Sequence, residues 1–288
     1  MTNLSDYDTS DRFTAKVLET HRITPESAPE VRSILLNVSR PDFHYKTGQN
    51  VGVVVPGKTG SGESDHFRLY TIASTEETAK PGEADLELCV RRCFYIDEVN
   101  GEQYPGRASN YLCDARPGDT ITMTGPYGGA FTLPSDNEAK LLLIGTGTGI
   151  APFRAFVRHL YENQREWKGD VHLYYGARTG MEKLYQNEER NDFANYYDHE
   201  TFHAFDGLSR RPWMHSDEHG LSEALEKHAQ EIWELMQDDK TYVYIAGLQK
   251  TREAFYQAIA KIAGSEARFR FAREEMLEQD RWSELIYG

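Results

Sequence analysis

The pattern of apolar residues changes at Leu133–Glu138, a short polar stretch that predicts a boundary between two domains. Before this stretch, short runs rich in β-branched and aromatic residues are separated by Gly, Pro and Asp, which is typical of an antiparallel β-barrel. The strands predicted in this half are Ser33–Val38, Asn50–Val55, Phe67–Ala73, Ala84–Arg91 and Thr120–Thr124.

After the boundary, predicted strands alternate with predicted helices, which indicates a parallel sheet with helical crossovers. The strands are Lys140–Ile144, Val171–Tyr175 and Thr241–Ala246, and the helices are Ala151–Asn163, Leu221–Met236 and Arg252–Ile262. We therefore expect an acidic tail at 1–11, a β-barrel domain at 12–136 and an α/β domain at 137–288.

The composition of the chain limits its partners. It carries 32 Lys and Arg against 46 Asp and Glu residues, and this net charge of −14 disfavours binding to nucleic acid or to an anionic membrane surface. The sequence has no apolar run near the roughly 18 residues of a membrane span, and its polar N-terminus resembles neither a signal peptide nor a transit peptide. Three cysteines are too few for a disulfide framework. We expect a cytoplasmic protein.

The segment Gly52–Thr59 matches the G-x-x-x-x-G-K-[ST] pattern of a nucleoside-triphosphate loop. That loop requires a strand before it and a helix after it, so that free N–H groups face the phosphates. Here the variable positions are themselves strand residues, and 60–65 is too rich in Gly and Ser to begin a helix. We interpret the segment as a barrel strand followed by a loop, and a nucleoside triphosphatase is the disfavoured alternative.

The segment Gly145–Arg154 follows a buried strand and begins a helix. Alternating glycines allow a tight turn and a close approach of pyrophosphate to the helix N-terminus, where free N–H groups favour anions. Pro152 suits the first helical turn because its missing N–H would have no partner there. The spacing departs from G-x-G-x-x-G, so it is not a dinucleotide fingerprint of that kind.

The decapeptide Gly145–Arg154 also belongs to a series of segments in which the sequence resembles the plant-type ferredoxin–NADP reductase family. Six further segments match in order across nearly the whole chain: Arg68–Ser74, Leu88–Arg92, Ser109–Asp114, Gly125–Pro126, Tyr242–Leu248 and Trp282–Tyr287. The resemblance implies an FAD-binding β-barrel followed by an NADP-binding domain with a parallel sheet.

The resemblance also implies which barrel residues bind FAD. Arg68 corresponds to the arginine that pairs with the pyrophosphate, Tyr70 to the ring beside the isoalloxazine, and Thr71 to a hydroxyl near flavin N5. Tyr95 corresponds to an aromatic residue that stacks on the adenine, which favours FAD over FMN. The other implied FAD-binding residues are Cys89, Val90, Arg91, Ala108 and Ser109.

In the second domain, the resemblance implies that Thr148 and Gly149 lie beside the pyrophosphate and nicotinamide of NADP. It implies that Ser209 and Arg210 hold the 2′-phosphate that distinguishes NADPH from NADH. The remaining implied cofactor-binding residues of this domain are Gly247 and Leu248.

The family's Tyr-x-Gln, which follows the 2′-phosphate site, has no counterpart at 218–222. Asp206 offers an acceptor for a ribose hydroxyl. NADP is therefore the expected nucleotide, and NAD is a possible one.

At the C-terminus, Tyr287 corresponds to the tyrosine that covers the flavin, and Gly288 follows it. Glu284 lies three residues before this tyrosine, whereas the family's glutamate lies two residues before. Ala246 stands where the family has a cysteine near the nicotinamide. The predicted catalytic residues are Thr71, Glu284 and Tyr287.

The function implied by the resemblance is that of an FAD-dependent reductase, which exchanges a hydride with NADPH and single electrons with ferredoxin or flavodoxin. The cysteines and histidines have no iron–sulfur or metal-ligand spacing, so we expect no metal and a separate carrier protein. Candidate docking residues for an acidic carrier are Arg68, Arg91, Arg92, Arg107 and Arg154. Two alternatives stay open: the reductase component of a multicomponent oxygenase, and a flavin-binding module with little turnover.

Overall fold

The computed structural model of the chain describes residues 4–57, 64–75, 82–97, 99–128, 131–163, 167–209 and 220–287. The chain divides into two compact units, Met1–Gly129 and Ala130–Gly288. Within the described ranges, every helix is too short or too polar to cross a membrane.

The first unit is built on an antiparallel sheet. Its strands are β1 (Arg12–Arg22), β2 (Val31–Val38), β3 (Asn50–Val55), β4 (His66–Thr71), β5 (Ala84–Arg91), β6 (Phe94–Ile96), β7 (Gln103–Pro105) and β8 (Thr120–Tyr127). Six of them form one sheet in the order β4-β3-β8-β1-β2-β5, and β6 pairs with β7 in a separate hairpin. A bridge between Ile72, directly after β4, and Leu88 of β5 joins the two edge strands. The sheet therefore closes into a barrel.

Alternation of apolar and polar residues determines which side chains fill this barrel. Along β1, Phe13, Ala15 and Val17 are buried, whereas the residues between them are exposed. These side chains pack with apolar residues from the other strands into one core. Helix α1 (Arg107–Asp114) packs against β3, β4 and β5.

The predicted barrel is confirmed, and β3 and β5 have the predicted bounds. The interpretation of Gly52–Val55 as strand is confirmed as well, because these residues lie in β3. A Cβ atom at Gly52 would lie 2.2 Å from the Phe67 ring, so this glycine serves packing inside the barrel. Lys58 and Thr59, the end of the rejected motif, lie outside the described residues.

The second unit contains a parallel five-stranded sheet, as predicted. Its strands are β9 (Lys140–Thr146), β10 (Val171–Ala177), β11 (Phe202–Leu208), β12 (Thr241–Leu248) and β13 (Trp282–Tyr287), in the order β11-β10-β9-β12-β13. Its helices are α2 (Ile150–Arg158), α3 (Leu221–Lys227), α4 (Ala229–Met236), α5 (Gln249–Ala263) and α6 (Glu266–Glu278).

Both faces of this sheet are covered, which explains the continuous apolar run in β9. On one face, Leu142 and Ile144 belong to a cluster with apolar residues of α3, α4, α5 and α6. On the other face, the rings of Phe131, Phe156 and Tyr244 contact one another. The predicted helix Leu221–Met236 is interrupted at His228 in the structure, and α1 and α6 were not expected from the sequence pattern.

Candidate functional site

The carboxyl ends of the parallel strands form one edge of the second unit. From β9 the chain moves to β10 and β11 on one side, and later places β12 and β13 on the other. The direction of strand order therefore reverses beside β9, which is where ligands bind in open parallel sheets. The glycine-rich turn Gly147–Gly149 lies at this point and leads directly into α2.

Glycine is needed at two positions of this turn, for a different structural reason at each. Gly147 has a φ of 54°, a left-handed backbone conformation that residues other than glycine adopt only at an energetic cost. A Cβ atom at Gly149 would lie 2.2 Å from the carbonyl oxygen of Ala246, so only glycine permits this close approach to β12. The hydroxyl of Tyr175, in β10, donates to the Gly147 carbonyl at 2.9 Å. The turn is thus fixed by main-chain packing and by one side chain.

The parallel sheet brings most of the predicted nucleotide-binding residues to this edge. Thr148 is half-buried in the turn, and Gly247 and Leu248 end β12. Ser209 follows β11, and its N–H donates to the Ala177 carbonyl at the end of β10. Arg210, the predicted partner of Ser209, lies outside the described residues.

The last strand places Glu284 and Tyr287 on opposite faces. Residues three apart on a strand point to opposite sides of the sheet. Tyr287 pairs with Leu248 at the carboxyl edge, and Glu284 pairs with Ile245 farther back in the sheet. Leu285, two residues before Tyr287, shares the face of the tyrosine.

The carboxylate of Glu284 has four side-chain neighbours, three on α5 and α6 and one, Trp282, on its own strand. It accepts hydrogen bonds from the Tyr256 hydroxyl and, at 2.7 Å, from the Trp282 indole. The guanidinium groups of Arg252 and Arg273 lie 3.7 and 3.5 Å away. Burial, together with the hydrogen bond to Glu284, raises the pKa of Tyr256, so the Tyr256 hydroxyl remains a donor. These contacts tie β13 to the helices, and the structure does not bring Glu284 together with Tyr287.

In the barrel unit, strand β4 presents three of the predicted FAD-binding residues. Arg68 is exposed, and its register partner is Val53 of β3. Tyr70 packs against the barrel core, and this burial raises its pKa far above the usual value, so the hydroxyl stays protonated. The hydroxyl of Thr71 donates to the side-chain carbonyl of Asn50 at 2.7 Å.

Strand β5 presents its predicted residues on two faces. Val90 is buried in the barrel core, so its main chain is the part that remains available to a ligand. Cys89 and Arg91 point the opposite way, where Cys89 is 6% exposed and Arg91 is exposed. Alternation along the strand therefore separates three residues that are consecutive in the sequence.

The β6–β7 hairpin carries an exposed aromatic pair. Tyr95 is 56% exposed and stacks on Tyr104, with ring centroids 5.7 Å apart and planes inclined by 24°. The hairpin leads through Gly106 into α1. Tyr104 was not identified as a candidate from the sequence.

The N-terminus of α1 carries the basic side chain of Arg107. Gly106 precedes the helix and has no side chain with which to cap it. Ala108 and Ser109 are buried in the first turn, and the Ser109 hydroxyl accepts from the Cys93 N–H at 3.2 Å. Burial lowers the pKa of His66 in β4, and the nearby charges of Arg68 and Arg107 lower it further. Both arginines therefore lie near His66, and Arg107 begins α1, whose free N–H groups favour an anion.

These features fit the two nucleotide cofactors, FAD and NADP, that the sequence implies. The arginines and α1 suit a pyrophosphate, and the exposed tyrosine pair suits an adenine ring. At the carboxyl edge of the parallel sheet, apart from Gly147 and its two chain neighbours, no atom of the described residues lies within 4 Å of a Cβ placed at Gly147. The turn therefore faces open space that a second pyrophosphate can approach.

Comparison with known proteins assigns these units to families. Residues 16–131 match the family described as Oxidoreductase FAD-binding domain, and residues 143–257 match the Oxidoreductase NAD-binding domain. A ferredoxin–NADP reductase of Synechocystis is 32% identical over 283 residues, which cover 96% of this chain and 67% of that protein. A ferredoxin–NADP reductase of Spirulina is 30% identical over 289 residues, which cover 98% of this chain and 97% of that protein. The chain belongs to the ferredoxin–NADP reductase family.

A solved structure confirms that the chain has the fold of this family. The ferredoxin-NADP+ reductase from Plasmodium falciparum superposes with a TM-score of 0.71 at 20% identity, covering 98% of each chain. The chain is therefore an oxidoreductase with an FAD-binding barrel and an NAD-binding parallel-sheet domain, and the resemblance stated from the sequence is confirmed.

Two arginines named as docking candidates for an acidic carrier are engaged inside the ferredoxin–NADP reductase fold instead. Arg154 is 5% exposed and its guanidinium pairs with Asp192. Arg92 pairs with Glu30 at 2.7 Å and with Asp114 at 2.8 Å. The expectation that these two guanidinium groups face a partner is therefore wrong, whereas Arg68, Arg91 and Arg107 are exposed.

Proposed function

We propose that the protein is an FAD-dependent reductase that exchanges a hydride with NADPH and single electrons with ferredoxin. The observation that carries this proposal is the match to the Spirulina ferredoxin–NADP reductase over 97% of its length, with both nucleotide-binding units present. Flavodoxin is a further proposed carrier, since a flavin-containing carrier exchanges the same single electrons. Cys89, Cys93 and Cys113 are all thiols, which supports a reducing compartment such as the cytoplasm.

Bound FAD would supply the conversion between hydride transfer and single-electron transfer. Arg68, with the N-terminus of α1 and the Ser109 hydroxyl, would hold its pyrophosphate by charge-assisted hydrogen bonds. Tyr95 and Tyr104 would stack on its adenine. Ala108, buried beside Ser109, keeps the first turn of α1 close to the strands.

The isoalloxazine would lie along β4 and β5. Tyr70 would contact the ring with an uncharged phenol, as its raised pKa indicates. Thr71 would present its hydroxyl near flavin N5, and Asn50 orients this hydroxyl through the 2.7 Å hydrogen bond. The thiol of Cys89 and the main chain of Val90 and Arg91 would line the ring from β5.

NADPH would bind at the carboxyl edge of the parallel sheet. Thr148 and Gly149 would meet its pyrophosphate and nicotinamide, and Gly247 and Leu248 would line the same position from β12. Ser209 and Arg210 would hold the 2′-phosphate.

Tyr287 would cover the flavin and move aside for the nicotinamide. We propose that Glu284 acts through Tyr287, because its contacts with Tyr256, Arg252 and Arg273 hold β13 against α5 and α6. Glu284 is thus a positioning residue in this proposal, while Thr71 and Tyr287 are the residues that touch the flavin.

The test is an absorbance spectrum of the purified protein, followed by anaerobic titration with NADPH and then by reduction of a [2Fe–2S] ferredoxin. We expect a flavin spectrum that NADPH bleaches and electron delivery to ferredoxin. Flavin that neither NADPH nor NADH reduces would indicate a binding module instead. Bleaching without electron delivery to ferredoxin or flavodoxin would favour the oxygenase-reductase alternative. A protein that lacks flavin and cannot be reconstituted with FAD would overturn the proposal.

A further inference from the structure

An ion pair at the carboxyl edge of the parallel sheet has no assigned role. The ammonium group of Lys183, in the segment after β10, bonds to the carboxylate of Asp206 in β11. The side chain of Asp206 is 42% exposed and that of Lys183 is 14% exposed. The pair lies at the end of β11 that leads to Ser209, where the exposed Asp206 carboxylate is accessible to a ligand and holds the Lys183 ammonium beside it.

Strand register places Asp206 on the same face as the glycine-rich turn. Asp206 pairs directly with Tyr175 of β10, and paired residues on adjacent strands share a face. The Tyr175 hydroxyl reaches the Gly147 carbonyl, which identifies this face as that of the turn. Strands spaced about 4.8 Å apart put β11 roughly 10 Å from β9. That separation lies within the length of an adenosine diphosphate.

The segment that carries Lys183 is held rigidly. Tyr185 has a φ of 60°, an uncommon conformation for a side chain of its size, and it is fully buried. The guanidinium groups of Arg154 and Arg190 lie over its ring, 4.7 and 5.1 Å from the centroid. Arg154 belongs to α2, the helix that begins at the glycine-rich turn. Lys183 is therefore positioned relative to the same helix as the proposed pyrophosphate site.

We propose that Lys183 and Asp206 together set the choice between NADPH and NADH, an inference that rests on the proposed function. The Asp206 carboxylate accepts hydrogen bonds from the 2′- and 3′-hydroxyls of an unphosphorylated ribose and repels a 2′-phosphate. The Lys183 ammonium compensates for that repulsion and attracts the 2′-phosphate. With both charges present, the two effects oppose each other, and their balance sets the ratio of the two affinities.

The two residues act in opposite directions, and this permits a sharp test. Calorimetric titration of the oxidised, FAD-loaded protein with NAD+ and with NADP+ gives both Kd values without turnover. Asp206→Asn should raise the ratio of Kd for NAD+ to Kd for NADP+ by about 10-fold or more, because the variant loses the charged acceptor for the ribose hydroxyls and the charge that repels the 2′-phosphate. Lys183→Gln should lower the same ratio by about 10-fold.

A second ion pair in the same unit provides the control. Lys140 bonds to Asp238 at 2.6 Å, and Lys140 begins β9, at the opposite edge of the sheet. Asp238→Asn should leave the ratio unchanged. If Asp206→Asn and Lys183→Gln weaken both nucleotides equally, the pair only stabilises the fold and the inference is overturned. A ratio that stays constant in either variant overturns it as well.

The test of nucleotide choice can fail independently of the test of the proposed function. The proposed function fails if the bound flavin is reduced by neither nucleotide, which the anaerobic titration reports. The nucleotide-choice inference concerns only the ratio of two binding constants. A protein that reduces its flavin normally while both variants keep the original ratio would retain the function and lose the inference.

Discussion

The candidate nucleotide site of the parallel-sheet unit consists mainly of main chain, whereas the candidate FAD site of the barrel consists mainly of side chains. Gly147 and Gly149 shape the first site because the turn must bend back and pack against β12. In the barrel, Arg68, Tyr95 and the α1 N-terminus come from three separate elements. The comparison shows that one short motif can predict a site at the end of parallel strands, while a site on a barrel surface depends on which face each side chain occupies.

The largest effect should come from placing a side chain in the main-chain site. Gly149→Ala puts a methyl group 2.2 Å from the Ala246 carbonyl oxygen, so β9 and β12 must separate at the turn. We expect a loss of about 3 kcal/mol in the free energy of unfolding, measured by chemical denaturation. Gly180→Ala is the matched control, because no described atom lies within 4 Å of a Cβ there. Equal stability of the two variants would contradict the importance of main-chain packing at this turn.

A substitution in the side-chain site should weaken ligand binding while the protein keeps its stability. Arg68→Gln removes an exposed guanidinium, so the free energy of unfolding of the protein without ligand should change by less than about 0.5 kcal/mol. FAD should bind about 10- to 100-fold more weakly, measured by flavin fluorescence on dilution, because a charged hydrogen bond is lost. Arg116→Gln, at an exposed turn of the same unit, should retain FAD. Tight FAD binding by the Arg68 variant would exclude this arginine from the site.

The C-terminal strand offers a smaller test, since its carboxylate acts within the parallel-sheet unit. Glu284→Gln keeps an acceptor for Tyr256 and Trp282 but removes the charge that faces Arg252 and Arg273. We expect a decrease of about 1 kcal/mol in the free energy of unfolding. Glu253→Gln, on the exposed side of α5, is the control and should change little. If both variants behave alike, the contacts of Glu284 do not hold β13.

The smallest effect concerns pH. Burial alone would raise the pKa of Asp192, but the neighbouring charges of Arg154 and Arg190 lower it below its ordinary value near pH 4 overall. Since the folded-state pKa is the lower one, this carboxylate stabilises the fold at higher pH, and its contribution is lost as the pH falls through the folded-state value. Between pH 5 and pH 3, the wild type should lose more stability than Asp192→Asn. Parallel pH profiles in thermal denaturation would contradict this.

Much of the fold could be predicted from local patterns. The bounds of β3 and β5 follow from β-branched runs between turn residues, and the strand before Gly145 follows from its apolar run. Helix α1 was missed because eight residues give too little helical periodicity, although Ala108 and Leu112 are spaced four apart and both are buried. The break at His228 divides a helix whose apolar pattern continues across it.

The residues of the candidate sites could be predicted only in part. Arg68, Tyr95 and Gly149 are marked by motifs, and the odd spacing of Glu284 and Tyr287 places them on opposite faces once the segment is a strand. Arg154 is part of the most specific motif of the chain, yet it pairs with Asp192, 38 residues away along the chain. A motif therefore identifies where an element begins but not which partner each of its side chains has.

The sequence by itself determined the two-domain plan, the barrel, the parallel sheet and the glycine-rich turn, because each depends on residues that are near one another along the chain. Only the tertiary structure decided the pairing of Lys183 with Asp206, the contacts of Glu284 with α5 and α6, and the approach of Arg68 and Arg107 to His66. The physical reason is that these charges meet across strand register and helix packing. Those contacts join residues that are distant in sequence, and no local pattern encodes which of many possible partners each charge will meet.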